Sequence, residues 1–254
     1  MTTKAIDHIA LTVRDLAGMA DFYQSALGLE PVGDETGTRR LGVGSRVLLE
    51  LRHDPAATAR DPRQAGLFHT AFLLPSRPDL ADWMRHAAES GLRLTGASDH
   101  GVSEAIYLDD PEGNGIEIYI DRPETTWNRD GDRVEMYTRQ LDLQDLMANA
   151  TGKGWNITPS GTVIGHVHLQ VGELDAADKF FRDELGLTRS FDAPGGAWYG
   201  WNGYHHHLAG NIWNSRDAGT RDQHMTGLAE IVVNDPGASG RVLWDPWGTS
   251  FRMI

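Results

Sequence analysis

A repeat runs through this chain and limits what it can fold into. The segment Ile6-Asp7-His8-Ile9-Ala10-Leu11-Thr12-Val13 lies without a gap over Ile164-Gly165-His166-Val167-His168-Leu169-Gln170-Val171. The match continues, Phe22-Tyr23 onto Phe180-Phe181 and Leu27-Gly28-Leu29 onto Leu185-Gly186-Leu187, at a constant offset of 158 residues. A constant offset through successive elements marks a duplicated structural unit. A second pair recurs as well: Gly66-Leu67 matches Gly227-Leu228, and Asp110-Pro111-Glu112-Gly113 matches Asp245-Pro246-Trp247-Gly248. The spacing between those two signatures shrinks from 44 residues to 18, which leaves no room for a helix in the last copy. The chain is therefore read as four related modules, the fourth shortened.

Within a module the order of elements is legible. Residues 6–13 alternate, with Ile9, Leu11 and Val13 on one face and His8, Ala10 and Thr12 on the other, as in a half-buried strand. Met19, Phe22, Tyr23 and Leu27 then recur at helical spacing, and Gly28 stands where a left-handed residue ends a helix. Strands are expected at 40–44 and 46–52, followed by a polar connection from His53 to Ala65. Module two repeats the plan: a strand at 67–74, a helix near Asp79 to Ser90 carrying Leu80, Trp83, Met84 and Ala87, then strands near 104–109 and 115–120. Each full module reads as a strand, a helix and several strands, the class is α+β, and four βαβββ modules are expected. With 254 residues two domains are expected: residues 1–121, carrying the metal site; a partly helical linker, 122–162; and a degenerate second domain, 163–254. Paired modules would form a curled mixed sheet around a cavity.

Composition narrows the chemistry. Thirty-six acidic against 23 basic residues give a formal charge of -13, a field that repels phosphate backbones and anionic membranes. Nucleic-acid and membrane partners are not expected. The sequence shows no apolar run of bilayer length and no signal-peptide pattern, so a cytoplasmic location is expected. There is no cysteine, which leaves nitrogen and oxygen donors for any metal, and eleven histidines to choose from. Alternation sets His69 and Ala71 opposite Phe68, Thr70 and Phe72, and sets Glu117 opposite Ile116 and Ile118. A lone strand histidine is ordinarily structural. His8 and His69 differ in occupying the same place in a repeated unit.

These residues resemble a known family. Strand-borne His8 with Phe22-Tyr23 and Leu27-Gly28-Leu29, then His69, then Tyr107-Leu108-Asp109-Asp110-Pro111-Glu112-Gly113-Asn114-Gly115-Ile116-Glu117, look like the vicinal oxygen chelate superfamily of glyoxalases, extradiol dioxygenases and bleomycin-resistance proteins. Gly66-Leu67-Phe68-His69, Asp99-His100-Gly101-Val102 and Gly203-Tyr204-His205-His206-His207 are most similar to the two-domain catechol 2,3-dioxygenase group. The resemblance implies two curled vicinal oxygen chelate domains and an Fe(II) held by His8, His69 and Glu117, with Mn, Ni, Co or Zn as alternatives. It implies a small aromatic diol and O2 as substrates, with ring cleavage beside the diol. Tyr107 matches the active-site tyrosine of ring-cleaving relatives, and His100 sits where they carry an outer histidine; deprotonation and orientation of substrate are assigned to them.

Module four departs from the pattern, since Glu230 stands where His69 stands and Arg252 where Glu117 stands, and arginine cannot ligate a cation. Pairing in chain order, one with two and three with four, is the favoured arrangement and leaves a degenerate second half. In the alternative, modules two and three pair, His166 replaces His8 as third ligand, and His206 or His207 supplies acid-base chemistry. A rival activity is a glyoxalase-like isomerase in which Glu50 joins His8, His69 and Glu117 as a closed four-donor set suited to Ni, Co or Zn. A third reading is a non-catalytic small-molecule binding protein. Trp198, Trp201 and Trp213 are candidates for an aromatic wall, and a homo-oligomer is expected.

Overall fold

The structure is a computed structural model and describes residues 4–238 and 240–254. Module one comprises β1 (Ala5–Val13), α1 (Leu16–Leu27), β2 (Glu30–Glu35), β3 (Thr38–Val43) and β4 (Arg46–His53). Module two comprises β5 (Gly66–Leu73), α2 (Arg77–Glu89), β6 (Leu94–Asp99), β7 (Ser103–Asp109) and β8 (Gly115–Asp121). The connecting segment carries a short 3-10 turn and the small strands β9 (Arg129–Asp130), β10 (Arg133–Val134) and β11 (Arg139–Gln140), then α3 (Leu143–Met147). Module three has β12 (Val163–Gln170), α4 (Leu174–Lys179), β13 (Thr188–Ala193), β14 (Gly196–Gly200) and β15 (Leu208–Asn211). Module four has β16 (Gly227–Asn234), β17 (Val242–Trp244) and β18 (Ser250–Met253), without a helix between them.

Two sheets collect these strands, and they do so across the chain order. One has the order β17-β18-β16-β1-β4-β3-β2, the other β11-β6-β7-β8-β5-β12-β15-β14-β13. Modules one and four therefore share the first sheet, and modules two and three share the second. This corrects the favoured chain-order pairing and its division into a 1–121 and a 163–254 domain. The physical reason lies in the connections. Residues 54–65 are long enough to cross from one sheet to the other, so sequence adjacency imposes no pairing. They run beside the matching crossover of the second half, where the Thr58 backbone bonds to two residues: Thr226 N–H donates to the Thr58 carbonyl at 2.8 Å, and Thr58 N–H donates to the His224 carbonyl at 2.9 Å. The 122–162 segment is also more than a linker, because β11 pairs with β6 and extends the second sheet.

One continuous apolar core joins the two sheets and the helices, with Leu11, Leu49, Phe72, Leu80, Trp83, Val167, Phe181 and Phe251 all within it. Helix α1 is started by Asp15, whose side chain accepts from Gly18 N–H, and stopped by Gly28 at φ 77°. Helix α2 docks against it through Trp83, fully buried, whose indole N–H donates to the Ala26 carbonyl at 3.0 Å. Truncation there removes a large buried ring and leaves that carbonyl unpaired. Trp83→Ala should lower unfolding free energy by about 3–5 kcal/mol, read from the midpoint shift in guanidinium denaturation.

Candidate metal centre

The centre of the second sheet is where β5 lies between β8, parallel to it, and β12, antiparallel to it. Ala71 is in register with Glu117 on one side and His166 on the other, and His69 is in register with His168. Directly opposed residues share a face, so His69, Glu117, His166 and His168 all turn to the same concave side. Tyr107 joins them, paired with Glu117 across β7 and β8. Two bulges adjust this register: Gly165 is the extra residue of β12 and Phe68 the extra residue of β5. A side chain is excluded at Gly165, since a Cβ would fall 1.8 Å from the Tyr119 hydroxyl oxygen.

Three donor atoms converge as a result. One from each of His69, Glu117 and His166 lie within 4.8 Å of one another, and all three residues are buried. His69 Nε2 stands 3.0 Å and His166 Nε2 3.3 Å from the same Glu117 Oε2. Burial alone would raise the Glu117 pKa, but the imidazoles of His166 and His69 hold it well below the usual carboxylate range. Burial lowers His166, which favours its neutral, ligating form. Among the described residues no lysine or arginine pairs with Glu117, and the buried His69 Nε2 makes no hydrogen bond. An ionised carboxylate and two imidazoles with an unsatisfied nitrogen fit a divalent cation of the kind that takes nitrogen and oxygen donors.

A cavity of about 580 Å³ opens over this cluster. On one side the Tyr107 hydroxyl lies 2.8 Å from His100 Nε2, while His100 Nδ1–H donates to the Tyr137 carbonyl at 3.0 Å. Burial and the nearby Glu117 charge raise the Tyr107 pKa well above its ordinary value, so its hydroxyl stays protonated. On the other side the His206 ring packs on His166 with centroids 4.0 Å apart. His206 Nδ1 meets His205 Nδ1 at 2.6 Å, and His205 Nε2 meets Asp121 Oδ1 at 2.8 Å. Burial pushes His206 well below its ordinary value. In the tautomer where His205 Nε2–H donates to Asp121 and its Nδ1 accepts, His206 Nδ1–H donates to His205 and His206 Nε2 keeps its lone pair.

Of the residues singled out from the sequence, His69, Glu117, His166, Tyr107, His100 and His206 line this one cavity. Two do not. His8 lies on β1 in the other sheet, in contact with Asp7 through Nδ1 at 2.6 Å, because module one pairs with module four. His207, just before β15, turns away from the cavity: its Nδ1 accepts from Trp201 N–H at 3.1 Å and its ring packs on Trp201 and Tyr204. Glu50 is likewise remote from the cluster, bound by Arg40 at 2.9 Å and Arg52 at 2.7 Å, so the closed four-donor set is not assembled. Trp201 is a core residue that donates to the Leu185 carbonyl, whereas Trp198 and Trp213 do reach the cavity. His168 and Phe68 were missed. Alternation from His166 would have found His168; the bulge that turns Phe68 to the cavity has no signal in the residues. Met136, Tyr137 and Thr138 also line the cavity, brought there by β11.

Comparison with known proteins agrees with the fold. Residues 5–118 match the family model described as Glyoxalase/Bleomycin resistance protein/Dioxygenase superfamily. A catechol-2,3-dioxygenase of Bacillus subtilis (strain 168) is 37% identical over 233 residues, 90% of this chain and 81% of that protein. The chain belongs to this superfamily. Another superfamily relative, biphenyl-2,3-diol 1,2-dioxygenase 3 of Rhodococcus globerulus, is 30% identical over 122 residues, 47% of this chain and 64% of that protein. Glyoxalase I from Zea mays superposes with a TM-score of 0.60 at 14% identity, covering 99% of this chain and 92% of that one. That likeness carries the superfamily fold and no more.

The buried histidines set a pH dependence of stability. Burial lowers His207 from 6.5 to about 3, and its Nδ1 must stay unprotonated to accept from Trp201. Its stabilising contribution is complete above pH 6.5 and is lost as pH falls from there towards 3. The expected slope is at most about 1.4 kcal/mol per pH unit for this one group. Urea midpoints of the wild type should fall between pH 6.5 and 4.5, roughly, and those of His207→Gln should fall less steeply by up to that amount.

Proposed function

We propose that this protein is an Fe(II)-dependent extradiol dioxygenase that opens the ring of a catechol-type diol with O2. The observation that carries this reading is the three-residue donor set of His69, Glu117 and His166 facing a cavity. Two histidines and one carboxylate with open positions are the donor set of non-haem Fe(II) oxygenases. The named activity of the Bacillus relative points the same way. Fe(II) in that set would supply two-point attachment of the diol and electron transfer to O2.

The surrounding residues handle position and protons. Tyr107, kept protonated, donates its O–H to His100 Nε2, which fixes the direction of that hydroxyl and leaves the Tyr107 oxygen to accept a hydrogen bond from the diol and orient it. His206 Nε2 is the base that accepts a diol proton and later returns it. Asp121 and His205 hold His206 in the tautomer that leaves this nitrogen free. The aromatic side chains over the cluster exclude water from the reacting ring.

Fe(II)-reconstituted protein should convert catechol to a yellow ring-fission product in air, and metal-free protein should not. His166→Ala should retain less than about a tenth of the bound iron and lose activity by roughly 100-fold or more. His8→Ala should stay within about twofold of wild type on both counts, since His8 lies in the first sheet, away from the donor set. Iron content by emission spectroscopy and product absorbance read the two effects separately. Loss of iron in His8→Ala with retention in His166→Ala would overturn the assignment.

A further inference from the structure

We propose that the cavity selects an uncharged catechol bearing an apolar substituent of aryl size, and disfavours catechols that bear a carboxylate. This deepens the dioxygenase reading and rests on it. Size is the first observation. A cavity of roughly 150 Å³ is enough for benzene, whereas this one is about 580 Å³, so a single ring at the metal centre would leave most of it unfilled. Charge is the second. No lysine or arginine is found among the described residues that line the cavity, while Glu117 and Asp109 are. Arg139 reaches only the Tyr137 ring, with its guanidinium carbon 4.2 Å from the centroid. A substrate carboxylate would be desolvated there without a counter-charge, against the field of a chain with net charge -13.

The third observation is where the apolar surface sits. Phe68 lies tilted against His69 at 46° and His168 stands edge-on to it at 86°, with centroids at 5.3 and 5.0 Å. From them the wall continues to Trp213, 5.4 Å from Phe68, and to Trp198, 5.7 Å from His168. It begins beside the ligand cluster, where His168 is 3% exposed, and ends at Trp213, 49% exposed. The wall is held in place before a ligand arrives: Asn211 Nδ2–H donates to His168 Nε2 at 3.1 Å, and the Trp213 indole N–H donates to the Pro194 carbonyl at 3.1 Å. A second ring attached to the diol ring would lie along this fixed track.

The test compares catechol, a phenyl-substituted catechol and a dihydroxybenzoate on the Fe(II)-loaded protein. In air, kcat/KM for the phenyl-substituted diol should exceed that for catechol by about tenfold or more, and that for the dihydroxybenzoate should fall about 100-fold below catechol. Calorimetric titration without dioxygen should give the same order of Kd. Trp198→Ala should reduce the phenyl-over-unsubstituted ratio by about tenfold; Trp213→Ala, at the rim, gives the same reading if Trp198→Ala does not fold. Equal or better turnover of the dihydroxybenzoate, or no advantage for the phenyl group, overturns the proposal while leaving the dioxygenase reading intact. Cleavage of none of the three removes that reading, and the dioxygen-free binding order then decides the selectivity by itself.

Discussion

The antiparallel pairing of β5 with β12 is the contact on which the site depends. Neither strand carries a complete donor set. Their register, with Ala71 beside His166 and His69 beside His168, sets three imidazoles on one concave face, and parallel β8 adds Glu117 on the other flank of Ala71. Ala71 is small and fully buried, which lets both flanking side chains rise over it. Gly165 permits the bulge that sets this register, because the Tyr119 hydroxyl fills the space where a side chain would be.

The first sheet shows what the same architecture does without those donors. At the matching positions Glu230 and Arg252 pair at 3.1 Å, and Arg52 bridges Glu230 at 2.8 Å to Glu50 at 2.7 Å. Each carboxylate there meets guanidinium groups, which lower its pKa against the opposing effect of burial. In the second sheet the buried carboxylate meets only imidazoles and a tyrosine hydroxyl, groups that can ligate or donate without cancelling its charge. The two sheets are of one design, one closed by ion pairs and one whose buried carboxylate faces imidazoles, the site proposed to hold a cation.

Much of this was legible in the residues. The repeat at a fixed offset, the βαβββ plan and the missing helix of module four follow from spacing. His69 and Glu117 stood out as polar groups off the apolar face of their strands. Pairing was not legible, because His8 and His166 occupy the same position in equivalent modules and nothing local distinguishes a ligand from its counterpart. Which of them meets Glu117 is decided by a crossover of connecting segments, a long-range property. The face of Phe68 depends on a bulge, and the approach of Met136, Tyr137 and Thr138 depends on a two-residue strand; neither carries a periodic signal. The adjacent histidines 205–207 lie in the turn before β15 and not in a strand, so strand alternation did not say which of 206 and 207 faced the cavity.

The most direct measurement is anomalous diffraction at the iron edge from crystals of Fe(II)-loaded protein. The account predicts one strong peak bounded by His69 Nε2, His166 Nε2 and a Glu117 carboxylate oxygen, on the cavity side of the second sheet. A peak beside His8 or Glu50, or none between His69 and His166, would contradict it.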